Sequence, residues 1–208
     1  MEAVYTWEHE LILASQSPRR KDLLESAGVK FAIMPSSADE NSNPALSPQD
    51  QALEIATRKA KVIAERFPGR LVLGADTIVV LNQATRPQIL GKPASPEDAT
   101  RMLRILSGIT HQVITAYCLV CIEKKLFIQR AVVTDVTFKV LSDDEIKAYV
   151  ASAEPLDKAG AYAAQGKGAF FVKAVKGSYT NVVGLPLVEV LEDLKALGAW
   201  QPSDLVTR

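Results

Sequence analysis

Cysteine and histidine are scarce in this sequence, which contains two of each among 208 residues. The histidines, His9 and His111, are too few and too isolated to form a zinc cluster. Cys118 and Cys121 have the C-x-x-C spacing of redox pairs and zinc sites, but they stand in the β-rich run VITAYCLVCIE. Residues three apart on a strand point to opposite faces of a sheet, so this run predicts two separate, buried thiols.

The sequence also lacks an excess of charge and any long apolar run. Lys+Arg and Asp+Glu both total 24, so no overall field attracts polymeric nucleic acid or an anionic membrane surface, and any anion has to be bound locally. No apolar run approaches the ~20 residues that cross a bilayer, and the opening residues carry glutamates instead of the cationic region of a secretion signal. We therefore expect a cytoplasmic protein without a membrane or nucleic acid partner.

What is present is the composition of an ordinary globular protein, 48% hydrophobic and 23% charged. Its apolar, β-rich runs alternate with segments of helical spacing, and some runs pair as hairpins. This alternation predicts an α/β fold with a mixed sheet. The expected strands are ELILAS, FAIMP, RLVLGADTIVVL and ILGKP, then a hairpin turning at Lys124-Lys125, then GAFFVKAV and SYTNVV around a turn at Lys176-Gly177. The expected helices start at Ser17-Pro18, Ser47-Pro48, Ser95-Pro96, Ser142 and Pro186, and the tail QPSDLVTR is expected to fray.

The segment ASQSPRR is the first candidate site. A strand ends here and a helix begins at Pro18, so the unpaired N–H groups of the first helical turn favour an anion. The hydroxyls of Ser15 and Ser17 and the guanidinium groups of Arg19 and Arg20 are suitable partners for phosphate. The alternative is that Ser17 only caps the helix and both arginines are solvated.

Asp76 is the second candidate, because a carboxylate in the apolar strand LVLGADTIVVL needs a partner. A bound metal or a water to be activated would provide one, and Gly74 and Ala75 are expected to leave space for a ligand. A local hydrogen bond to the backbone is the alternative.

Four further residues give weaker signals. Lys59 lies at the rim of the buried face of its helix and either projects into a site or extends along the surface. Lys92, Glu40 and Gln165 stand in the segments GKP, ADE and QGKG, and each segment alone is typical of an exposed loop or turn.

Taken together, the motifs resemble the Maf family of nucleoside triphosphate pyrophosphatases, from Leu11 to about Gly198. The resemblance implies a single domain over 1–208 with a Maf/ITPase-like fold, in which a strongly twisted mixed sheet is flanked by helices and two lobes surround a cleft, with 1–8 and 200–208 peripheral. The matching pieces are ASQSPRR, ADE, ATRKA, GADT, ILGKP, SGITHQVITAY, EPLDKAGAYAAQGKGAFFV and GSYTNVVGLPL.

Within that family the chain is most similar to the branch that acts on dTTP and UTP. The resemblance implies that Asp76 is the proton acceptor and that Arg20, Thr77 and Gln165 determine substrate specificity. The implied phosphate-binding residues are Ser15, Ser17, Arg19, Lys59 and Lys92, and Glu40 is implied with Asp76 as a metal ligand. Two departures are the long loop NQATRPQ and Ala38 in place of a larger aliphatic residue.

The implied reaction is hydrolysis between the α and β phosphates, which gives a nucleoside monophosphate and pyrophosphate with Mg²⁺, Mn²⁺ or Co²⁺ as cofactor. The resemblance also implies a homodimer, and removal of non-standard pyrimidine nucleotides is one expected role. Three alternatives stay open: a pyrophosphatase for purine or modified nucleotides, a nucleotide-binding regulator of cell division or septum formation, and a structural α/β domain without a site.

Overall fold

The computed structural model describes residues 11–82 and 86–206. In these ranges the strands are β1 Leu11–Leu13, β2 Phe31–Ile33, β3 Val72–Leu81, β4 Gln88–Leu90, β5 Thr110–Cys121, β6 Leu126–Phe138 and β7 Val172–Lys176. The α-helices are α1 Pro18–Ser26, α2 Pro48–Ala64, α3 Pro96–Leu106, α4 Asp143–Ala151, α5 Tyr179–Val183 and α6 Leu187–Ala196.

The strands form one mixed sheet with the order β2-β1-β3-β5-β6-β7, and β4 pairs with β3. β1 is parallel to both neighbours, with Ile12 opposite Ala32 on β2 and Val72 on β3. The pairs β3–β4 and β6–β7 are antiparallel. The predicted α/β fold with a mixed sheet is therefore confirmed.

Contacts divide the chain into two compact units. The first unit contains residues up to Asp76, Thr115–Ala131 and the residues from Gly184 on, and the second contains Thr77–Ile114 and Val132–Val183. The first unit has two hydrophobic clusters, one including Leu13 and one including Ile12, because alternate residues of a strand face opposite sides of the sheet. The second unit has a core of its own around α3 and an aromatic group that includes Phe138 and Phe171.

Three helix starts follow the predicted capping chemistry. Ser47 and Ser95 each accept a hydrogen bond from the N–H three residues on, and Ser142 forms a reciprocal capping box with Glu145. Ser17 differs, because its side chain caps nothing and its own N–H donates to Ser15 Oγ at 3.2 Å. α1 thus starts at Pro18 after Ser17 as predicted, but the hydroxyl of Ser17 makes no capping hydrogen bond.

The cysteines lie on β5 as predicted. Both are buried and free, and Cys118 packs in the cluster with Ile12 whereas Cys121 packs in the one with Leu13. Burial raises the pKa of the Cys118 thiol to about 11, which makes it unreactive at neutral pH. The hairpin that joins β5 and β6 turns at Lys125, whose φ is 50°.

Two predicted strands contain helical turns instead. Lys167–Phe171 forms a 3₁₀ helix before β7, and the SYTNVV segment forms the short helix α5. Hydrogen bonds hold α5 in place, since buried Asn181 donates to Val113 O at 3.0 Å and to Thr134 Oγ1 at 2.9 Å. Such distant partners outweigh the β-branched composition of the segment.

The tail does not fray between 200 and 205. Trp200 is buried and donates from Nε1 to Ala27 O at 2.8 Å, and Pro202–Leu205 forms a 3₁₀ helix. Gly28, at φ 67°, makes this approach possible, because a Cβ there would lie 2.3 Å from Asp204 O.

Some predictions fall on residues that the structure does not describe. These are His9 with the rest of 1–10, residues 83–85 of the NQATRPQ segment, and 207–208. Among the described residues, no helix combines the length and apolar character needed to cross a membrane.

Candidate active site

The register of β1 and β3 brings the two candidate segments together. Leu13 is opposite Leu73, and Ala14 N–H donates to Leu73 O at 2.8 Å. Because the strands are parallel, the chain that leaves β1 toward Ser15 passes the part of β3 that contains Asp76. Asp76 and Thr77 are the only partly exposed positions of β3, whose other residues are all buried.

Arg20 places a buried positive charge at the start of α1, near the carboxylate of Asp76. Its guanidinium is buried and donates from Nε to Gly184 O at 2.8 Å and from Nη1 to Ser15 Oγ at 3.0 Å. Burial lowers the pKa of Arg20, and the nearby negative charges of Asp76 and Glu40 act in the opposite direction. A buried guanidinium needs such partners, so this arginine is not the solvated residue of the alternative interpretation.

Lys59 lies between two carboxylates. Its Nζ is 2.8 Å from Asp76 Oδ1 and 2.8 Å from Glu40 Oε1. The side chains of Lys59 and Asp76 are 11% and 13% exposed, whereas that of Glu40 is 56% exposed. The ammonium group thus has a shielded partner on β3 and an accessible one in the loop before α2.

Gly74 brings α2 close enough for this contact. A Cβ at Gly74 would lie 2.4 Å from Ala56 O and 2.7 Å from Ala60 N, so helix backbone fills the space beside β3. The expectation that Gly74 leaves room for a ligand is wrong. Its missing side chain lets α2 approach until Lys59 reaches Asp76.

Arg58 holds the loop that carries Glu40, a role that the sequence alone did not predict. Its Nη1 donates to Asp39 O at 2.6 Å and to Asn41 O at 2.8 Å, the carbonyls on either side of Glu40. Its Nη2 donates to Glu54 Oε1 at 2.8 Å. Two adjacent residues of α2 therefore fix this loop: Arg58 binds the backbone of the loop, and Lys59 binds the side chain of Glu40. The ATRKA motif was the available signal, but it gives no indication of partners 17 and 19 residues away.

The first unit gathers most of the predicted site. Arg20, Lys59, Asp76 and Glu40 interact as described, Ser15 is buried beside Arg20, and Ser17 and Arg19 are partly buried at the start of α1. The first turn of α1 contains no acidic residue, which suits an anion.

The carboxylates of Asp76 and Glu40 fit a hard divalent cation in chemical type. Mg²⁺ is bound in many phosphate-transfer sites by one or two carboxylates together with substrate oxygens and water, so a full set of protein ligands is not required. In the described part of the chain, no group of three or more His, Cys, Asp or Glu residues is arranged to hold a metal alone.

The remaining three predicted residues belong to the second unit. Thr77 directly follows Asp76 on β3 and is half-buried. Lys92 is exposed after β4, and Gln165 is exposed in the segment before the 3₁₀ helix Lys167–Phe171.

Comparison with known proteins identifies the family. The family described as Maf-like protein matches residues 10–197 of this chain. The chain belongs to the Maf family. One Maf relative, the dTTP/UTP pyrophosphatase of Geobacter sulfurreducens, is 52% identical over 189 residues, which cover 91% of this chain and 97% of that protein. The dTTP/UTP pyrophosphatase of Syntrophus aciditrophicus is 48% identical over 190 residues, 91% of each chain.

Among solved structures, a HAM1 protein from Coxiella burnetii covers 89% of this chain and 98% of its own, at 17% identity and a TM-score of 0.49.

Proposed function

We propose that this protein is a pyrophosphatase that hydrolyses dTTP and UTP to the nucleoside monophosphate and pyrophosphate. The observation that carries the proposal is the ion pair of Lys59 with Asp76, beside the buried Arg20 and the start of α1. The names of the Maf relatives, which share about half of their residues with this chain, support the same activity.

Charge is the main obstacle to attack on a triphosphate, and the site is suited to reduce it. Its cations, Arg19, Arg20 and Lys59, outnumber the carboxylates of Asp76 and Glu40. An ammonium group has three donors, so Lys59 can bind both carboxylates and still donate to a phosphate oxygen. We assign phosphate binding to Ser15, Ser17, Arg19, Lys59 and Lys92.

Asp76 would orient the attacking water and accept its proton. Lys59 bonds to Oδ1, and Oδ2 makes no hydrogen bond within the described residues, so an acceptor is available for water. A carboxylate is a weak base near neutral pH. Mg²⁺, Mn²⁺ or Co²⁺ held by Asp76 and Glu40 would supply charge neutralisation and a lowered pKa for bound water.

Selection of the base is assigned to Arg20, Thr77 and Gln165. The side chains of Thr77 and Gln165 contain both donors and acceptors, which suits the edge of a pyrimidine. The guanidinium of Arg20 already donates hydrogen bonds to Ser15 and Gly184. We therefore expect it to influence base selection mainly by holding the chain after β1 in place. Homodimer formation, a cytoplasmic location and the removal of non-standard pyrimidine nucleotides belong to the same proposal.

The direct test is pyrophosphate release by the purified chain from dTTP, UTP, CTP, dGTP and ITP, with each divalent cation and with chelator. The proposal expects dTTP and UTP to give the highest kcat/KM and chelator to abolish release. A preference for dGTP or ITP would favour a purine pyrophosphatase. Tight nucleotide binding without pyrophosphate release would instead indicate a regulator.

A further inference from the structure

In the second unit, the carboxylate of Glu154 binds the loop formed by residues 163–168. Its Oε1 accepts hydrogen bonds from Gly168 N–H at 3.0 Å and from the Tyr149 hydroxyl at 3.0 Å. Its Oε2 accepts from Lys167 N–H at 3.2 Å. One carboxylate thus binds the chain on the far side of Gln165 while it contacts α4 through Tyr149.

The other end of the loop is tied to the same group. Ala163 N–H donates to the Tyr149 hydroxyl at 3.1 Å, and this hydroxyl in turn donates to Glu154. Residues 163 and 168, on either side of Gln165, are therefore both linked to the Tyr149–Glu154 pair. Charge-assisted bonds from backbone N–H to carboxylate are among the stronger hydrogen bonds in proteins.

Two glycines are required for this closure. Gly166 has a φ of 93°, and a Cβ there would lie 3.0 Å from Glu154 Oε2. A Cβ at Gly168 would lie 2.6 Å from Ala163 O and 2.7 Å from the Tyr149 hydroxyl oxygen. The QGKG segment is thus shaped around a carboxylate, which explains its glycines without a phosphate-binding role.

The carboxylate is suited to remain ionised. Partial burial opposes ionisation of Glu154, but hydrogen bonds from the backbone of Gly168 and Lys167 hold its pKa below the ordinary value. At neutral pH it therefore accepts all three bonds as an anion.

Gln165 stands in the middle of this fixed loop with its side chain available. The residue is exposed, and its amide makes no hydrogen bond within the described residues. A primary amide offers a donor on one side and an acceptor on the other, so it can distinguish uracil from cytosine only if its orientation is fixed. The loop backbone is the part of the chain that sets this orientation.

We propose that Glu154 is a positioning residue for nucleotide selection, which acts by holding the loop 163–168 and so aiming Gln165. This role rests on the proposed function, in which Gln165 contacts the base. Glu154 itself contacts only the protein.

The test measures kcat/KM for UTP and for CTP and compares the ratio of the two values in four variants with the ratio in the wild type. The variants are Glu154→Gln, Gln165→Ala, the two combined, and Glu145→Gln as a matched control. Glu145 is also a hydrogen-bonded glutamate of the second unit, but it caps α4 and does not contact the loop. Glu154→Gln is expected to lower the ratio by roughly tenfold to a hundredfold, because an amide cannot accept at both oxygen positions.

Non-additivity identifies the route of the effect. If Glu154 acts through Gln165, the double variant shows a ratio no lower than that of Gln165→Ala alone. Amide hydrogen exchange at Lys167 and Gly168 should be faster in Glu154→Gln and unchanged in Glu145→Gln. This measurement reports on the hydrogen bonds of the loop and needs no substrate.

Three results would overturn the role of Glu154. The first is an unchanged UTP to CTP ratio in Glu154→Gln when Gln165→Ala does lower that ratio. The second is a double variant in which the free-energy losses of the two single variants add. The third is an unchanged rate of amide hydrogen exchange at Lys167 and Gly168 in Glu154→Gln. Failure of the wild type to release pyrophosphate from any nucleotide is a different result, since it overturns the proposed function while the exchange rates still report on the loop.

Discussion

Arg58 and Lys59 show how two neighbouring residues can serve one carboxylate in different ways. Lys59 binds the Glu40 side chain and also Asp76, so it is part of the charge arrangement itself. Arg58 binds the carbonyls on both sides of Glu40, so it fixes the backbone of an exposed loop. The Asp39 side chain adds a further turn, since it accepts from Asn41 N–H at 3.0 Å.

Replacing Arg58 tests whether this loop has to be fixed for turnover. Arg58→Ala removes the bonds to both carbonyls. We therefore expect kcat/KM for dTTP to fall by about tenfold and the free energy of unfolding to fall by about 1 kcal/mol. Arg101→Ala is the matched control, because Arg101 also pairs with an acidic residue on its own helix but holds no loop. Steady-state kinetics and thermal unfolding of both variants make the comparison. Equal kinetics in the two variants would show that Arg58 has no such function.

At the scale of elements, the distance between α2 and β3 is set by small residues. The backbone of buried Ala56 and Ala60 lies against Gly74, so any side chain at position 74 would separate helix and strand. The contact places Lys59, one residue before Ala60, next to Asp76. The packing of one helix therefore determines the electrostatics of the site.

Gly74→Ala is expected to be strongly destabilising for this reason. The added methyl would meet helix backbone at 2.4 Å, which cannot move as a flexible side chain can, so we expect a loss of at least about 2 kcal/mol in the free energy of unfolding. Gly91→Ala is the control, because a Cβ there meets nothing within 4 Å. Urea unfolding of both variants measures the difference. A Gly74→Ala protein as stable as Gly91→Ala would mean that α2 and β3 are not in close contact.

The elements also show which predictions a local pattern can support. The helix starts at Ser47, Ser95 and Ser142 depend on groups three residues away and were predictable from the sequence. Ser17 is followed by proline, as Ser47 and Ser95 are, but its side chain makes no capping bond and its N–H donates to Ser15 Oγ, which also accepts from Arg20. That contact depends on the buried guanidinium, and no local pattern contains it.

At the scale of the whole chain, the candidate site depends on contacts between distant segments. The parallel register of β1 and β3 aligns residues about 60 positions apart, Leu13 with Leu73. The motifs supplied the candidate residues, and the resemblance to the Maf family assigned their roles. The partner of Lys59 and the hold of Glu154 on the QGKG loop could not be predicted, because both follow from how elements pack.

The central claim is that Asp76 performs the chemistry on a triphosphate that the neighbouring cations bind. The most direct measurement is kcat for pyrophosphate release from dTTP with Mg²⁺, in the wild type and in Asp76→Asn. The asparagine keeps the shape and a hydrogen bond acceptor for Lys59 but loses the charge and basicity, so we expect kcat to fall by about 10²-fold or more while the far-UV spectrum stays native. Near-normal turnover in a folded Asp76→Asn protein would contradict the account.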